Sequence, residues 1–304
     1  MDATATPEIP HVCILLATFN GMKYLQEQMS SIYGQVGVKI SILVQDDGST
    51  DGTVAYLESQ LQLGKIASLT KSKQIGSTKV FIDLLNMAPN ADFYAFSDQD
   101  DVWELSKLTK LTTLLGSLNS PGISFSGRIL IDSKGKILRS EHIPLRRIGS
   151  RNALIQNIIP GNTSLINKSG KVMLSRLNSH GVQHYDAWIY LLFSLFGTIC
   201  LSDEPLIRYR VHRDNQIGLG TNSFNRIRNF EENLVGFKLN AENILENENL
   251  KVSQVNQNLL NSFLALLSIK NPLKRFSLLM QLRLHRKKRI QTIILAVYLV
   301  FRKC

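Results

Sequence analysis

Three short apolar runs, each stopping abruptly at polar residues, constrain the fold of this chain most. Cys13–Phe19 (CILLATF), Ile40–Val44 (ISILV) and Phe93–Phe96 (FYAF) are continuous rather than alternating. That is the pattern of strands buried on both faces, as in a parallel sheet covered by helices. Helical spacing fills the intervals. Tyr24, Leu25, Met29 and Ile32 follow the first run, and Val54, Leu57 and Leu61 follow the second. A short strand near Ala67–Thr70 and a helix over Val80–Met87 precede the third. Alternating elements of this length predict an α/β fold with a mostly parallel sheet and helices on its faces.

Each run ends in residues that carry chemistry. The first ends at Thr18, Asn20 and Gly21. The second ends at Asp46-Asp47-Gly48-Ser49-Thr50-Asp51-Gly52-Thr53, and the third at Asp98-Gln99-Asp100-Asp101-Val102-Trp103. Ligands of open α/β sheets bind beyond the carboxyl ends of the strands. Carboxylates packed as tightly as Asp98, Asp100 and Asp101 repel one another unless a cation or a set of donors gathers them. Turns and helix caps are the plainer use: Ser49, Thr50 or Asp51 can cap one helix, and Asp100 or Asp101 can cap another starting near Trp103. A carboxylate also accepts the imide N–H of a uracil or thymine ring, which would give Asp46 and Asp47 a base pocket to serve.

From residue 121 the pattern changes. Asp132-Ser133-Lys134-Gly135 reads as a hairpin turn between Ile123–Ile131 and Lys136–Leu138. A helix is expected around Ile148–Ile158, broken by Pro160-Gly161-Asn162-Thr163, with a short strand at Ser164–Ile166. Ala187–Phe196 is a strongly apolar helix, and Thr198–Leu201 and Leu206–Val211 look extended. Beyond about 222 the chain reads helical. Two domains follow from this: 1–220 as the α/β domain and 221–304 as a helical, basic C-terminal region. The three cysteines, Cys13, Cys200 and Cys304, make neither a metal spacing nor a disulfide framework, which suits a reducing compartment. The polar opening Met1-Asp2-Ala3-Thr4 has neither the basic nor the apolar part of a signal peptide.

The runs Ala17-Thr18-Phe19-Asn20-Gly21, Asp46–Thr53 and Ser97–Trp103, in this order and spacing, resemble the family 2 inverting glycosyltransferases of the GT-A fold. The last run, with its Gln and Trp, is similar to a bacterial rhamnosyltransferase-like branch that builds surface polysaccharides. The resemblance covers roughly residues 10–220. It implies a Rossmann-like nucleotide-binding sheet with flanking helices and a C-terminal helical extension. It also implies a nucleotide-sugar donor, in this branch dTDP-rhamnose, and a saccharide or lipid-linked saccharide acceptor. Ala17, Phe19 and Asn20 would wrap the base and ribose, and Asp47, with Asp46 beside it, would read the base. Asp98 and Asp100 would face the ribose and a diphosphate-bound Mg²⁺ or Mn²⁺, a cation that prefers oxygen ligands. Asp101 would orient the loop or cap the next helix.

The same resemblance implies a base for the acceptor hydroxyl at Asp186, in His184-Tyr185-Asp186-Ala187-Trp188, with an N-cap as the alternative use. The branch has His directly before this Asp; here Tyr185 occupies that place and His184 precedes it. In Tyr209-Arg210-Val211-His212-Arg213-Asp214-Asn215, His212 would complete the metal site and Arg210 would contact the diphosphate. Gly161, Thr163 and Trp188 would line the sugar and acceptor.

Net charge is +11, and its placement matters more than its size. Residues 1–204 hold 18 Lys+Arg against 18 Asp+Glu, whereas 205–304 hold 17 against 6. Residues 270–304 carry ten basic side chains and no acid, next to the apolar run 290–301. Twelve helical residues span about 18 Å, against the ~30 Å of a bilayer core. This is the pattern of an interfacial anchor on an anionic membrane, with a helical hairpin packed on the enzyme as the alternative. It points to a cytoplasmic protein held peripherally on the cytoplasmic face of the inner membrane. A nucleic-acid binder would interleave basic and aromatic residues across a face; here the basic residues abut a greasy helix, so nucleic acid is not an expected partner. A sugar-1-phosphate nucleotidyltransferase is the enzymatic rival on the same fold. It opens with a Gly-rich basic phosphate loop, which Thr18-Phe19-Asn20-Gly21 does not supply.

Overall fold

The computed structural model describes residues 8–116, 118–177, 179–212 and 223–302. In chain order the elements are β1 (His11–Thr18), α1 (Met22–Tyr33), β2 (Lys39–Asp46), α2 (Thr53–Gln62), β3 (Ser68–Lys71), α3 (Ser77–Met87), β4 (Phe93–Ser97), β5 (Val102–Trp103), α4 (Lys107–Leu115), β6 (Gly122–Ile131) and β7 (Ile137–Glu141). They continue with α5 (Ser150–Ala153), β8 (Ser164–Asn167), α6 (Lys168–Ser175), α7 (Tyr185–Phe196), β9 (Thr198–Arg210), α8 (Ser223–Glu246), α9 (Gln254–Ser268), α10 (Pro272–Leu282) and α11 (Arg289–Phe301). Two compact units result. One holds the described residues 8–142, 161–175 and 198–212; the other holds 143–160, 176–197 and 223–302.

The first unit is built on one sheet in the order β3-β2-β1-β4-β8-β6-β9-β5, with β7 paired to β6. The strands β3, β2, β1 and β4 are parallel neighbours. The three apolar runs of the sequence are its central strands. Val12, Ile14 and Leu16 of β1, Ile42 and Val44 of β2, and Phe93 and Ala95 of β4 pack into one core with Leu25, Met29 and Ile32 of α1 and Leu57 of α2. Parallel register aligns Thr18 with Asp46 and Leu16 with Ser97, so the three strands finish along one edge.

The second half of this unit departs from the sequence pattern in two ways. The two extended pieces expected at 198–201 and 206–211 are joined: residues 198–210 form the single strand β9, and Pro205 sits where the β6–β9 ladder shifts register at Gly127. No helix starts near Trp103. Val102 and Trp103 form β5, antiparallel to Arg208 and Ile207 of β9, and α4 begins only at Lys107. Two residues are too few to carry a periodic signal.

The second unit is helical. The expected 148–158 helix shrinks to the single turn α5, because Asn157 closes a turn by accepting from the Ile159 amide at 3.0 Å. Tyr190 of α7 donates to Asn152 of α5 at 2.9 Å, and Asn152 donates to the His285 carbonyl at 2.9 Å. Asn256 of α9 donates to the Leu195 carbonyl at 3.0 Å. These bonds group 143–160 and 176–197 with the C-terminal helices, across the linear division at 220/221, which itself lies outside the described residues.

Arg275 joins the last three helices. It is 2% exposed, and its guanidinium donates to the carbonyls of Ile269, Val300 and Arg302, the last at 2.6 Å. It thus serves the C-terminal ends of both α9 and α11, where backbone carbonyls lack helical partners and a positive charge is favoured. Arg275→Met keeps the volume but strands these carbonyls, and should cost roughly 2–4 kcal/mol. Equilibrium urea unfolding followed by helical circular dichroism checks this; an unchanged midpoint would remove Arg275 as the tie.

Candidate functional site

The polar ends of β1 and β2 are one structure. Asp46 is fully buried, and its carboxylate accepts from the Gly48 amide at 3.1 Å, the Ser49 amide at 2.8 Å, the Ser49 hydroxyl at 2.6 Å and the Thr18 hydroxyl at 2.8 Å. A carboxylate offers about four acceptor positions, so Asp46 is saturated by its own loop and has none to offer a base. The loops then lock reciprocally. Asn20, at φ +49°, accepts from the Thr50 amide, and the Asn20 amide donates to the Ser49 hydroxyl, both at 2.8 Å. The Met22 amide donates to Asp51 at 3.0 Å, and the Gly21 amide to the Thr53 hydroxyl at 2.9 Å. None of the expected cap residues is the N-cap of α2, which is Gly52 with no side-chain cap; Ser49, Thr50 and Asp51 instead tie two loops together.

Asp47 points elsewhere. It accepts from the amides of Ile75 and Gly76 and from the Ser72 hydroxyl, at 2.8, 2.8 and 2.7 Å, and so gathers the loop after β3. Three donors leave it capacity for one more. Ala17 lies at the end of β1 opposite Gln45, and Phe19 is 41% exposed. Gln99 clamps Phe19 by its backbone: the Phe19 amide donates to Gln99 Oε1 at 2.7 Å, and Gln99 Nε2 donates to the Phe19 carbonyl at 2.8 Å. Gly21 permits this approach, since a Cβ there would lie 2.2 Å from Gln99 Oε1.

The pairing of β5 with β9 brings Arg210 and His212 to the Asp98–Asp101 segment. Asp100 Oδ2 and His212 Nε2 are 2.8 Å apart, and the imidazole lies 5.1 Å from the Tyr24 ring. Arg210, 2% exposed, donates to the Asp100 carbonyl at 2.9 Å and to Glu27 at 2.6 Å, over the Tyr24 ring. Its guanidinium holds this loop in shape. The rest of that motif, Arg213 to Asn215, lies outside the described residues.

A carboxylate oxygen and an imidazole nitrogen 2.8 Å apart are a fitting donor pair for Mg²⁺ or Mn²⁺, whose remaining ligands would come from water or phosphate oxygens. The sequence pattern sets Asp98 with them. Among the described residues no three acidic, His or Cys side chains gather as a metal group. Asp98 acts instead on Tyr209 and Lys107: burial first, then Asp98, pushes the Tyr209 phenol up.

Asp101 does not cap a helix. It is fully buried, accepts from Asn162 Nδ2 at 2.6 Å and from the Arg210 amide at 3.2 Å, and is pushed up to about 7 by burial and then by Asp100. Lys107 completes the group. It is also fully buried, donates to the Asn162 carbonyl at 2.6 Å and lies 3.4 Å from the centre of the Trp103 ring. Burial holds its amine well below the usual lysine range. Asn162 thus bonds both charged residues, while Gly161 and Thr163, the expected acceptor-loop residues, are buried on either side of it. Sequence reasoning missed Asn162, Lys107 and Gln99. Gln99 stands inside the Ser97–Trp103 run that carries the family resemblance, which is its available signal.

Asp186 and Trp188 belong to the second unit. His184 is the N-cap of α7, so Asp186 is not the cap; it stands in the first helical turn and accepts from the Ala187 amide at 2.8 Å. Trp188 is 3% exposed.

Comparison with known proteins places this geometry. The profile of a family described as Glycosyl transferase family 2 matches residues 13–178. The dTDP-rhamnosyl transferase RfbG of Shigella flexneri is 29% identical over 215 residues, covering 67% of this chain and 73% of that protein. The putative teichuronic acid biosynthesis glycosyltransferase TuaG of Bacillus subtilis is 24% identical over 203 residues, covering 65% and 80%. Among solved structures, TarS 1-349 of S. aureus in complex with UDP-GlcNAc superposes with a TM-score of 0.58 at 15% identity, over 90% of this chain and 80% of that one. The fold is that of the GT-A glycosyltransferases.

Asn162→Ala should destabilise the first unit by about 2–3 kcal/mol, by stripping a donor from buried Asp101. With Asp101→Asn it should form a double-mutant cycle with a coupling of at least ~1 kcal/mol. Additive thermal shifts would show that the two residues act independently.

Proposed function

The chain belongs to glycosyl transferase family 2, and we propose that it transfers a sugar, with inversion, from a nucleotide-diphosphate donor to a glycan or lipid-linked saccharide in cell-surface polysaccharide synthesis. The observation that carries this reading is the joining of three strand ends into one polar rim, with the Asp100–His212 pair set beside it. In this reading Phe19, Asn20 and Asp47 receive the base and ribose, Asp47 through its remaining acceptor position. Asp46 and Arg210 act as struts that hold the loops. A dTDP donor, rhamnose among its sugars, is favoured by likeness to RfbG.

Asp100 and His212 would hold Mg²⁺ or Mn²⁺, with Asp98 toward the ribose and diphosphate. When bound, the cation offsets charge on the departing nucleoside diphosphate. Asp186 takes the acceptor hydroxyl proton as the oxygen attacks the anomeric carbon from the face opposite the leaving group. Asp186 stands in the first turn of α7, partly exposed. The protein works on the cytoplasmic face of the inner membrane, with residues 270–304 toward anionic lipid. Among the described residues no helix is long and apolar enough to cross a membrane.

A panel of dTDP-, UDP- and GDP-sugars with Mn²⁺ or Mg²⁺, read by thermal shift and then by transfer, tests the donor. Stabilisation by none of them would overturn the reading. Asp186→Asn should lower kcat by at least ~10²-fold while leaving the nucleotide-induced shift intact; retained turnover would remove Asp186 as the base. His212→Ala should abolish the metal-dependent part of that shift.

A further inference from the structure

The C-terminal helices present an apolar surface that their own unit does not cover. Helix α11 buries Leu295 and Leu299, yet Ile290, Ile293, Ile294, Val297 and Phe301 are between 56% and 72% exposed. At about 100° per residue those five fall within an arc of roughly 100°, on the side away from Leu295. An ordinary surface helix has one apolar stripe facing its core and a polar face outward; α11 is apolar on both.

Helix α10 repeats the arrangement on a smaller scale. Its buried side carries Arg275, Leu279 and Leu282, and its outer side carries Leu273, Phe276 and Met280, exposed by 80%, 55% and 61%. Both helices are firmly built: Asn271 caps α10 by accepting from the Leu273 and Lys274 amides, and Arg275 ties its base to the end of α11. The outward stripes therefore belong to ordered helices. Between them runs Arg283–Arg289, with Arg283, Lys288 and Arg289 exposed.

We propose that the outer stripes of α10 and α11 insert into the headgroup–acyl boundary of an anionic bilayer, lying in its plane, with the Arg283–Arg289 segment held by lipid phosphates. This deepens, and rests on, the reading that residues 270–304 meet a membrane: apolar insertion, not charge alone, supplies the attachment. Exposed apolar stripes flanked by one sign of charge fit the boundary between headgroups and acyl chains. A second copy of the chain fits poorly, because it would set the same acid-free basic region, ten Lys+Arg over 270–304, against itself.

Sedimentation of the full chain with vesicles of phosphatidylcholine alone, or with 30% phosphatidylglycerol, tests this. The wild-type chain should bind the anionic vesicles and keep part of that binding in 0.5 M NaCl. The neutral variant I293N/I294N/V297N, with an unchanged nucleotide thermal shift to show it is folded, should bind at least tenfold more weakly and lose all binding in salt. Phe301→Trp should be quenched by brominated acyl chains, since Trp103 and Trp188 are both buried. Wild-type binding to the anionic vesicles that salt abolishes, or a triple variant that binds like wild type, would overturn insertion while leaving electrostatic attachment standing. Absence of any vesicle binding would overturn the membrane reading and the insertion together. Dimerisation that the triple variant abolishes would assign the stripes to a second copy instead.

Discussion

The buried carboxylate of Asp46 is the interaction on which the rest of the rim depends. Parallel strands end in loops whose amides have no ladder partners, and such groups must find acceptors when buried. Asp46 answers for two amides and two hydroxyls at once, one of them on the neighbouring strand. Ser49, oriented by Asp46, accepts the Asn20 amide in turn, so the first loop takes its shape from the second. Gln99 then fixes the backbone of Phe19 from the third strand end. A site assembled this way is organised before any ligand arrives, which spares binding the cost of ordering loops.

A second organising device lies deeper. Lys107 and Asp101 are both fully buried, and burial disfavours the charged form of each. Apolar residues of similar volume would make a more comfortable core. What the charged residues supply is connection: through Asn162 they fasten the end of β4, the start of α4, the 161–163 turn and the last residues of β9. The outcome is a fixed backbone for Asp100, whose carboxylate meets His212 in a part-buried contact.

The central strands were legible because continuous apolar runs of that length have few other uses, and the polar strand ends were legible because composition there is so biased. Allocation of acceptors was not. Asp46 and Asp47 are adjacent and chemically identical in sequence, yet one is saturated within its loop and the other reaches to residues 72–76. That difference arises from the turn between Gly48 and Gly52, both at positive φ, and no pattern of residue types encodes it. The β5 strand escaped for a related reason, since its stability comes from pairing with residues a hundred positions later. In the tail, composition announced a basic, apolar segment, but only the packing of Leu295 and Leu299 separates the face that is used from the face that is not.

Asp101 and Asp186 show why surroundings, rather than residue type, sort the acids of this chain into roles. Burial and the neighbouring Asp100 favour the protonated form of Asp101, and its carboxylate is enclosed by the Asn162 amide and the Arg210 backbone. An acid so enclosed has no path to a substrate and serves as a fastening. Asp186 is only partly buried, in the first turn of α7 beyond the cap at His184, and accepts from the Ala187 amide at 2.8 Å. A general base has to begin ionised and within reach of a hydroxyl. Of these two carboxylates Asp186 is the one that is not enclosed, and the proposed base therefore rests on the helix start rather than on the buried acid of the strand end.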